Sequence, residues 1–299
     1  MSCPEAARIA LFSPEPMTFN LTERDIEVQG GSIKGSTRVV RDPKEGLSYK
    51  KHAWSIREGC IDIMQNRKRP INERILFIGI MLNKITEQIQ QEDEEGVLGT
   101  IQLYVSAFSD SQFDGMMDSF QKSDGMRAAM TSILFNTCVE YMVMQKDSYE
   151  PFNFVARYLS EKGVEFKLDG KDMTPYLDID EYIEEHCAIH WTPFLEEYGH
   201  VVENYFVNYI FSELFPFKYH EDGLTPYQHF IILAEQYALL RMLLCCNADE
   251  EEGVTKAQLT KTITALSHLN QHSQSPKRII QIYGNSESDS VAHMSFMLR

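Results

Sequence analysis

From about His52 onward the apolar positions recur at helical spacing. Trp54, Ile56, Cys60, Ile61, Ile63 and Met64 form one stripe that stops at Arg69-Pro70. Pro70 stands where a first helical turn tolerates proline, and Ile75 to Ile89 carry the 3.6-residue period forward. That helix is expected to dissolve in the acidic run at 90–96, read as an exposed linker. The same periodicity predicts helices near 97–108, 125–146, 151–162, 176–190, 193–215, 226–247, 254–272 and 275–283. Residues 4–12 read as one short helix.

The stretch between that short helix and residue 50 is patterned differently. Short β-leaning pieces such as Met17-Thr18-Phe19-Asn20-Leu21 and Ile26-Glu27-Val28-Gln29 alternate with Gly30-Gly31, Gly35 and Asp42-Pro43 turns. Three regions follow: a loop-rich N-terminal segment over 1–50 with short strands, a helical domain over 51–283, and a frayed Ser/Asn-rich tail over 284–299. The fold class predicted is mainly α, a multi-helix globular body with a small β-leaning attachment. No strand–helix alternation supports a doubly wound sheet. Gly30-Gly31 lacks both the following helix and the G-x-G-x-x-G spacing, and no P-loop is present.

Composition changes the picture in two ways. With 43% hydrophobic residues over 299 positions the chain has enough apolar material for a sizeable core. The net charge of −16, from 44 acidic against 28 basic residues, argues against a nucleic-acid surface, which needs clustered Lys and Arg. The one dense basic run, Arg67-Lys68-Arg69, is read as a helix end whose cations complement the dipole. An acidic body suits lysine-bearing proteins as partners, through electrostatic steering. No stretch reaches about 18 uninterrupted apolar residues, so no membrane span is expected, and the N-terminus does not read as a signal peptide. The six cysteines show no C-x-x-C spacing and are expected to be mostly reduced, buried thiols of a cytoplasmic protein.

Two segments carry a resemblance. One is Cys3-Pro4-Glu5-Ala6-Ala7-Arg8-Ile9-Ala10-Leu11, followed by Pro14-Glu15-Pro16-Met17. The other, more specific, is Glu203-Asn204-Tyr205-Phe206-Val207-Asn208-Tyr209-Ile210-Phe211-Ser212-Glu213-Leu214-Phe215-Pro216-Phe217. A helix with Tyr237 and Leu239-Leu240-Arg241 adds to it, as does the Ser267-His268-Leu269-Asn270-Gln271-His272 run. Over nearly its whole length the chain resembles the C-terminal body of the flagellin lysine N-methyltransferase (lysine-N-methylase) family. The resemblance implies transfer of methyl groups from S-adenosylmethionine to surface lysines of flagellin. It also implies an iron–sulfur cluster held by cysteines of a Cys-rich region upstream. Of that set this chain offers Cys3 alone, an incomplete ligand set for a cluster that needs about four thiolates. The expectation is therefore a truncated member.

The helix around 203–213 is the candidate site. Positions 205, 208, 209 and 212 share a face, and polar groups on an otherwise apolar helix need partners. Two readings stay open: an internal hydrogen-bond network, or a wall that receives a lysine amine and its aliphatic stem. In the second, Glu203, Tyr205 and Asn208 are the candidate catalytic residues. Asn204, Tyr209 and, from the family-like helix, Arg241 are candidate substrate- or cofactor-binding residues. Amine methylation needs a neutral nucleophile, which aromatic walls and desolvation favour. The His186/His190 and His268/His272 pairs have i,i+4 spacing, but Cys187 follows His186 where a zincin carries Glu, so both are read as accidental or hydrogen-bonding pairs. Cys245-Cys246 reads as core packing. A different class of function also stays open: a non-catalytic helical binding module for flagellin or another protein.

Overall fold

The computed structural model describes residues 11–17, 52–108, 110, 124–144, 150–161, 179–217, 224–272, 280, 294–295 and 297–298. Eight α-helices account for almost all of it: α1 (Ala53–Met64), α2 (Ile71–Gln90), α3 (Glu94–Ala107), α4 (Asp124–Met144), α5 (Asn153–Glu161), α6 (Ile179–Ser212), α7 (Pro226–Cys246) and α8 (Lys256–His272). The expected mainly helical fold is what forms. Among the described residues there is no strand, only a bridge between Asp249 and Gly253. The β-leaning pieces expected within 1–50, most of the short helix at 4–12, Cys3 and most of the tail lie outside the described residues.

Helix α7 is the axis of the body. Every residue but Gln228 is buried, and it packs most extensively on α2 and α6. An all-round apolar helix has no face to give to water, so α2, α4, α6 and α8 pack around it. Its length and mean hydropathy of 1.4 would suit a membrane span, yet the whole apolar window is buried inside the fold. The start of α7 is fully specified locally. The Thr225 hydroxyl accepts from the Gln228 N–H at 3.2 Å, Gln228 Oε1 accepts from the Thr225 N–H at 2.9 Å, and Pro226 opens the first turn. A further free N–H, that of Tyr227, donates to Thr86 Oγ1 of α2 at 3.0 Å.

Two expectations about the connections change. The acidic run at 90–96 is mostly helix: only 91–93 connects α2 to α3, while Glu94, Glu95 and Gly96 open α3. Asp93 Oδ1 accepts from the Gly96 N–H at 3.0 Å, and two acidic residues in a first turn complement the dipole. The tight reversal puts Glu92 in the left-handed region at φ 58°. The predicted helices at 176–190 and 193–215 are one helix, α6, running 34 residues through Pro193. Pro193 removes the hydrogen bond to the carbonyl of Ile189, which is 66% exposed, so water can serve that carbonyl. On the other face, stacked Trp191 and Phe194 (5.1 Å) hold the helix against the core through the break.

Candidate functional site

Glu203, the first of the candidate site residues, is 1% exposed and points into a cage of arginines. Arg67 reaches both carboxylate oxygens, with Nε at 3.1 and 3.0 Å and Nη2 at 2.9 Å. Arg74 Nη1 donates to Oε2 at 2.7 Å, to the Met64 carbonyl at the end of α1 at 3.0 Å, and its Nε to the Arg69 carbonyl at 2.7 Å. One carboxylate thus ties α6 to α2 and to the α1–α2 turn. The hydrogen bond to Glu203 holds the Arg67 guanidinium above its ordinary pKa, whereas burial pulls the more deeply set Arg74 down. The basic run at 67–69 is not in the last turn of α1, as its sequence suggests. It lies beyond it, in the connection to α2, because these guanidiniums serve as hubs for long-range partners instead.

Asn204 continues the same seam. Its Nδ2 donates to the Leu11 and Ser13 carbonyls, both at 2.9 Å, while Arg67 Nη1 donates to the Pro14 carbonyl at 2.9 Å and Gln65 Nε2 to the Met17 carbonyl at 2.8 Å. Residues 11–17 are therefore strapped across the α1–α2 connection and α6. Leu11 is buried and Phe12 sits edge-on to Tyr198 at 6.2 Å. Leu11, the last residue of the first family-like segment, and Asn204, in the second, are in contact.

Replacing Asn204 by Leu is expected to release this strap. One buried and one partly buried hydrogen bond are lost and their carbonyls left without this donor, a cost of about 1–3 kcal/mol. Limited proteolysis should cut near 11–17 earlier than in the unaltered chain. Equal cleavage rates would contradict the anchoring role.

The other named residues occupy different surroundings. Tyr205 is buried beside Phe206, with ring centroids 5.0 Å apart, and Tyr209 lies 6.3 Å from Phe215. Asn208 is the least buried of the set. Arg241, on α7, belongs to a second polar cluster. Its Nη2 donates to Glu184 Oε1 at 3.3 Å, and it is 7% exposed. Beside it the thiols of Cys187 and Cys245 are hydrogen-bonded across α6 and α7. That bond, with Arg241 adding to it, holds Cys187 below the ordinary thiol value, while the same bond and burial push Cys245 far above it against the pull of Arg241. Tyr237 links the two clusters. Its ring packs against Trp191 at 5.8 Å and Phe206 at 6.1 Å, it senses both Arg74 and Arg241, and burial pushes its hydroxyl up to about 12.

A small, partly open cavity of about 20 Å³ lies where α4, α6 and α7 meet. Met130, Thr131, Glu184, Arg241, Met242 and Met297 are among the residues that line it. Of the residues singled out in the sequence it includes Arg241 alone, and none of Glu203 to Tyr209. Sequence reasoning missed Glu184. Its signal was present but weak: an acidic residue on an α6 turn, with no visible link to Arg241 at 57 positions' distance.

A family model described as the FliB lysine N-methylase C-terminal domain matches residues 57–297. The chain belongs to that family. A comparison with curated proteins and one with solved structures gave no match. In this FliB C-terminal body, both polar clusters fall inside the matched span, while the strap at 11–17 precedes it.

Metal chemistry finds no footing in the described part of this domain. Among the described residues no group of three or more His, Cys, Asp or Glu is arranged to hold a metal ion. Cys60, Cys138, Cys187, Cys245 and Cys246 are all buried and free. His186 gives its Nδ1 to the Tyr182 carbonyl at 2.7 Å and packs on the Tyr182 ring, and His190 is held below its ordinary pKa by burial and by His186. Among the described residues these five cysteines do not gather into a ligand set for an iron–sulfur cluster, and Cys3 lies outside the described residues.

Proposed function

We propose that this chain serves as the helical body of a protein-lysine N-methyltransferase that moves methyl groups from S-adenosylmethionine to surface lysines of flagellin. The observation that carries the reading is the family match over 57–297. The charge supports it: a body of net charge −16 attracts a lysine-bearing surface. When bound, S-adenosylmethionine supplies an electrophilic methyl group. The protein's task is to present a neutral amine to it, which aromatic walls achieve by removing water from the ammonium form.

Within that reading the residues divide. Both oxygens of Glu203 are engaged by arginines, so a lysine amine would have to displace an existing ion pair. Its part is then to position α6, and Asn204 positions the strap. Tyr205 and Tyr209 keep the aromatic role, and Asn208, half-buried, is the polar group of this stretch most open to an incoming side chain.

The arginine cage is also the observation that favours the second reading, a non-catalytic module that holds flagellin. One experiment separates the two. Flagellin is isolated from cells with and without the gene, and from a complemented strain, and its lysine methylation is mapped by mass spectrometry. Methyl marks should vanish on deletion and return on complementation. Unchanged marks, together with retention of flagellin by the purified chain, would leave the binding module standing instead.

A further inference from the structure

Arg241 is more than nine-tenths buried, yet its Nη1 has no hydrogen-bond partner among the described residues. A buried guanidinium nitrogen left unpaired is costly, and native structures rarely leave one so without a reason. This nitrogen belongs to a residue lining the cavity between α4, α6 and α7. The remaining polar groups at the cavity have the opposite character. Glu184 is an acceptor whose bond to Arg241 Nη2 is long at 3.3 Å and whose side chain is 39% exposed at the mouth. The Thr131 hydroxyl gives its proton to Asp180 Oδ1 at 2.9 Å, so towards the cavity it can only accept. Arg241, with its Nη1 unpartnered, and the two acceptors thus line one cavity, inside walls that include Met130, Met242 and Met297.

We propose that this cavity is a binding site for the head group of an α-amino acid, its carboxylate taken by Arg241 Nη1 and its ammonium by Glu184 and Thr131. A lone anion would use the arginine and be repelled by Glu184. A lone cation would use Glu184 and leave Nη1 orphaned. A zwitterion satisfies all three groups. The cavity, at about 20 Å³, takes little more than one water-sized group, so it receives one carboxylate oxygen while the rest of the carboxylate and the amine lie at its partly open mouth. The rest of the ligand extends outward along the methionines, whose flexible, polarizable side chains suit a thioether.

Two sources share this chemistry: a free amino acid, and the amino-acid end of a nucleoside-linked sulfur cofactor. The site itself stands on Arg241 and its cavity. Only the second source rests on the methyl-transfer reading above.

The test is calorimetric titration of the full chain with three probes: L-methionine, its des-amino analogue and S-adenosylhomocysteine. Saturable binding of at least one amine-bearing probe is expected. Glu184→Gln, at a half-exposed position, should weaken the amine-bearing probe about tenfold or more and leave the des-amino analogue unchanged. Arg241→Met should remove binding of all three, with circular dichroism and melting recorded to show that the variant is folded. L-Methionine binding without S-adenosylhomocysteine binding keeps the site and breaks its link to the methyl donor. No saturable binding by the unaltered chain would overturn the proposal, as would a Glu184→Gln loss equal for probes with and without the amine. Neither outcome bears on the flagellin marks, so the two readings fail separately.

Discussion

Glu203→Leu is expected to destabilise the fold by about 3–5 kcal/mol, because it leaves the guanidinium of Arg74 buried without its counter-charge. Arg74 has a side-chain exposure of 10%, so water cannot replace the lost carboxylate. Arg67 differs: with 41% exposure it can turn to solvent, and Arg67→Ala should cost about 1 kcal/mol. For a chain of this size a loss of 3 kcal/mol or more lowers Tm by about 6 °C or more. The double variant Glu203→Leu/Arg74→Met should recover much of the loss, since an apolar pair of similar volume replaces a buried ion pair at little cost. Thermal melting of the four proteins decides it. Methyl transfer to flagellin on the same samples separates support from chemistry. A Glu203→Leu protein as stable as the parent but without turnover would return Glu203 to a catalytic role.

The second large effect is steric. A Cβ placed on Gly79 of α2 would lie 2.3–2.6 Å from ring atoms of Phe230 on α7, far inside contact distance. Phe230 is fully buried, so its ring has no free space to enter. In an isolated helix Gly→Ala would stabilise by about 1 kcal/mol. Here overpacking wins: Gly79→Ala should destabilise by about 1–3 kcal/mol, and Gly79→Val by more. A Phe230→Leu background removes the ring, so there Gly79→Ala should be neutral or stabilising. Denaturant unfolding of the cycle gives the coupling energy directly. Additive effects would mean that α2 and α7 do not approach at this point.

Local pattern was sufficient for much of the architecture. The stripe from Trp54 to Met64 and the run from Ile75 to Ile89 are helices because their period is written in adjacent residues, and α1 and α2 form as expected. The start of α7 was equally local, with Thr225, Pro226 and Gln228 within four positions. Local pattern failed just before Pro193, where two helices, 176–190 and 193–215, were expected and one forms. There the burial of Trp191 and Phe194 against the core outweighs one missing hydrogen bond. It failed again at 94–96, where glutamates that read as a solvated linker serve the first turn of α3.

The sequence by itself determined the helical class, the identity of the two most characteristic segments and the acidic character that suits a lysine-bearing partner. Only the tertiary structure decided what those segments touch. Glu203 meets Arg67 across 136 positions and Asn204 meets Leu11 across 193. Periodicity reports which face of a helix is buried, but not which element covers it. A carboxylate on such a face reads the same whether it awaits a substrate amine or closes an ion pair. The orphaned nitrogen of Arg241 was equally invisible, because a missing partner is a property of the packed space around a residue and of nothing in its sequence neighbours.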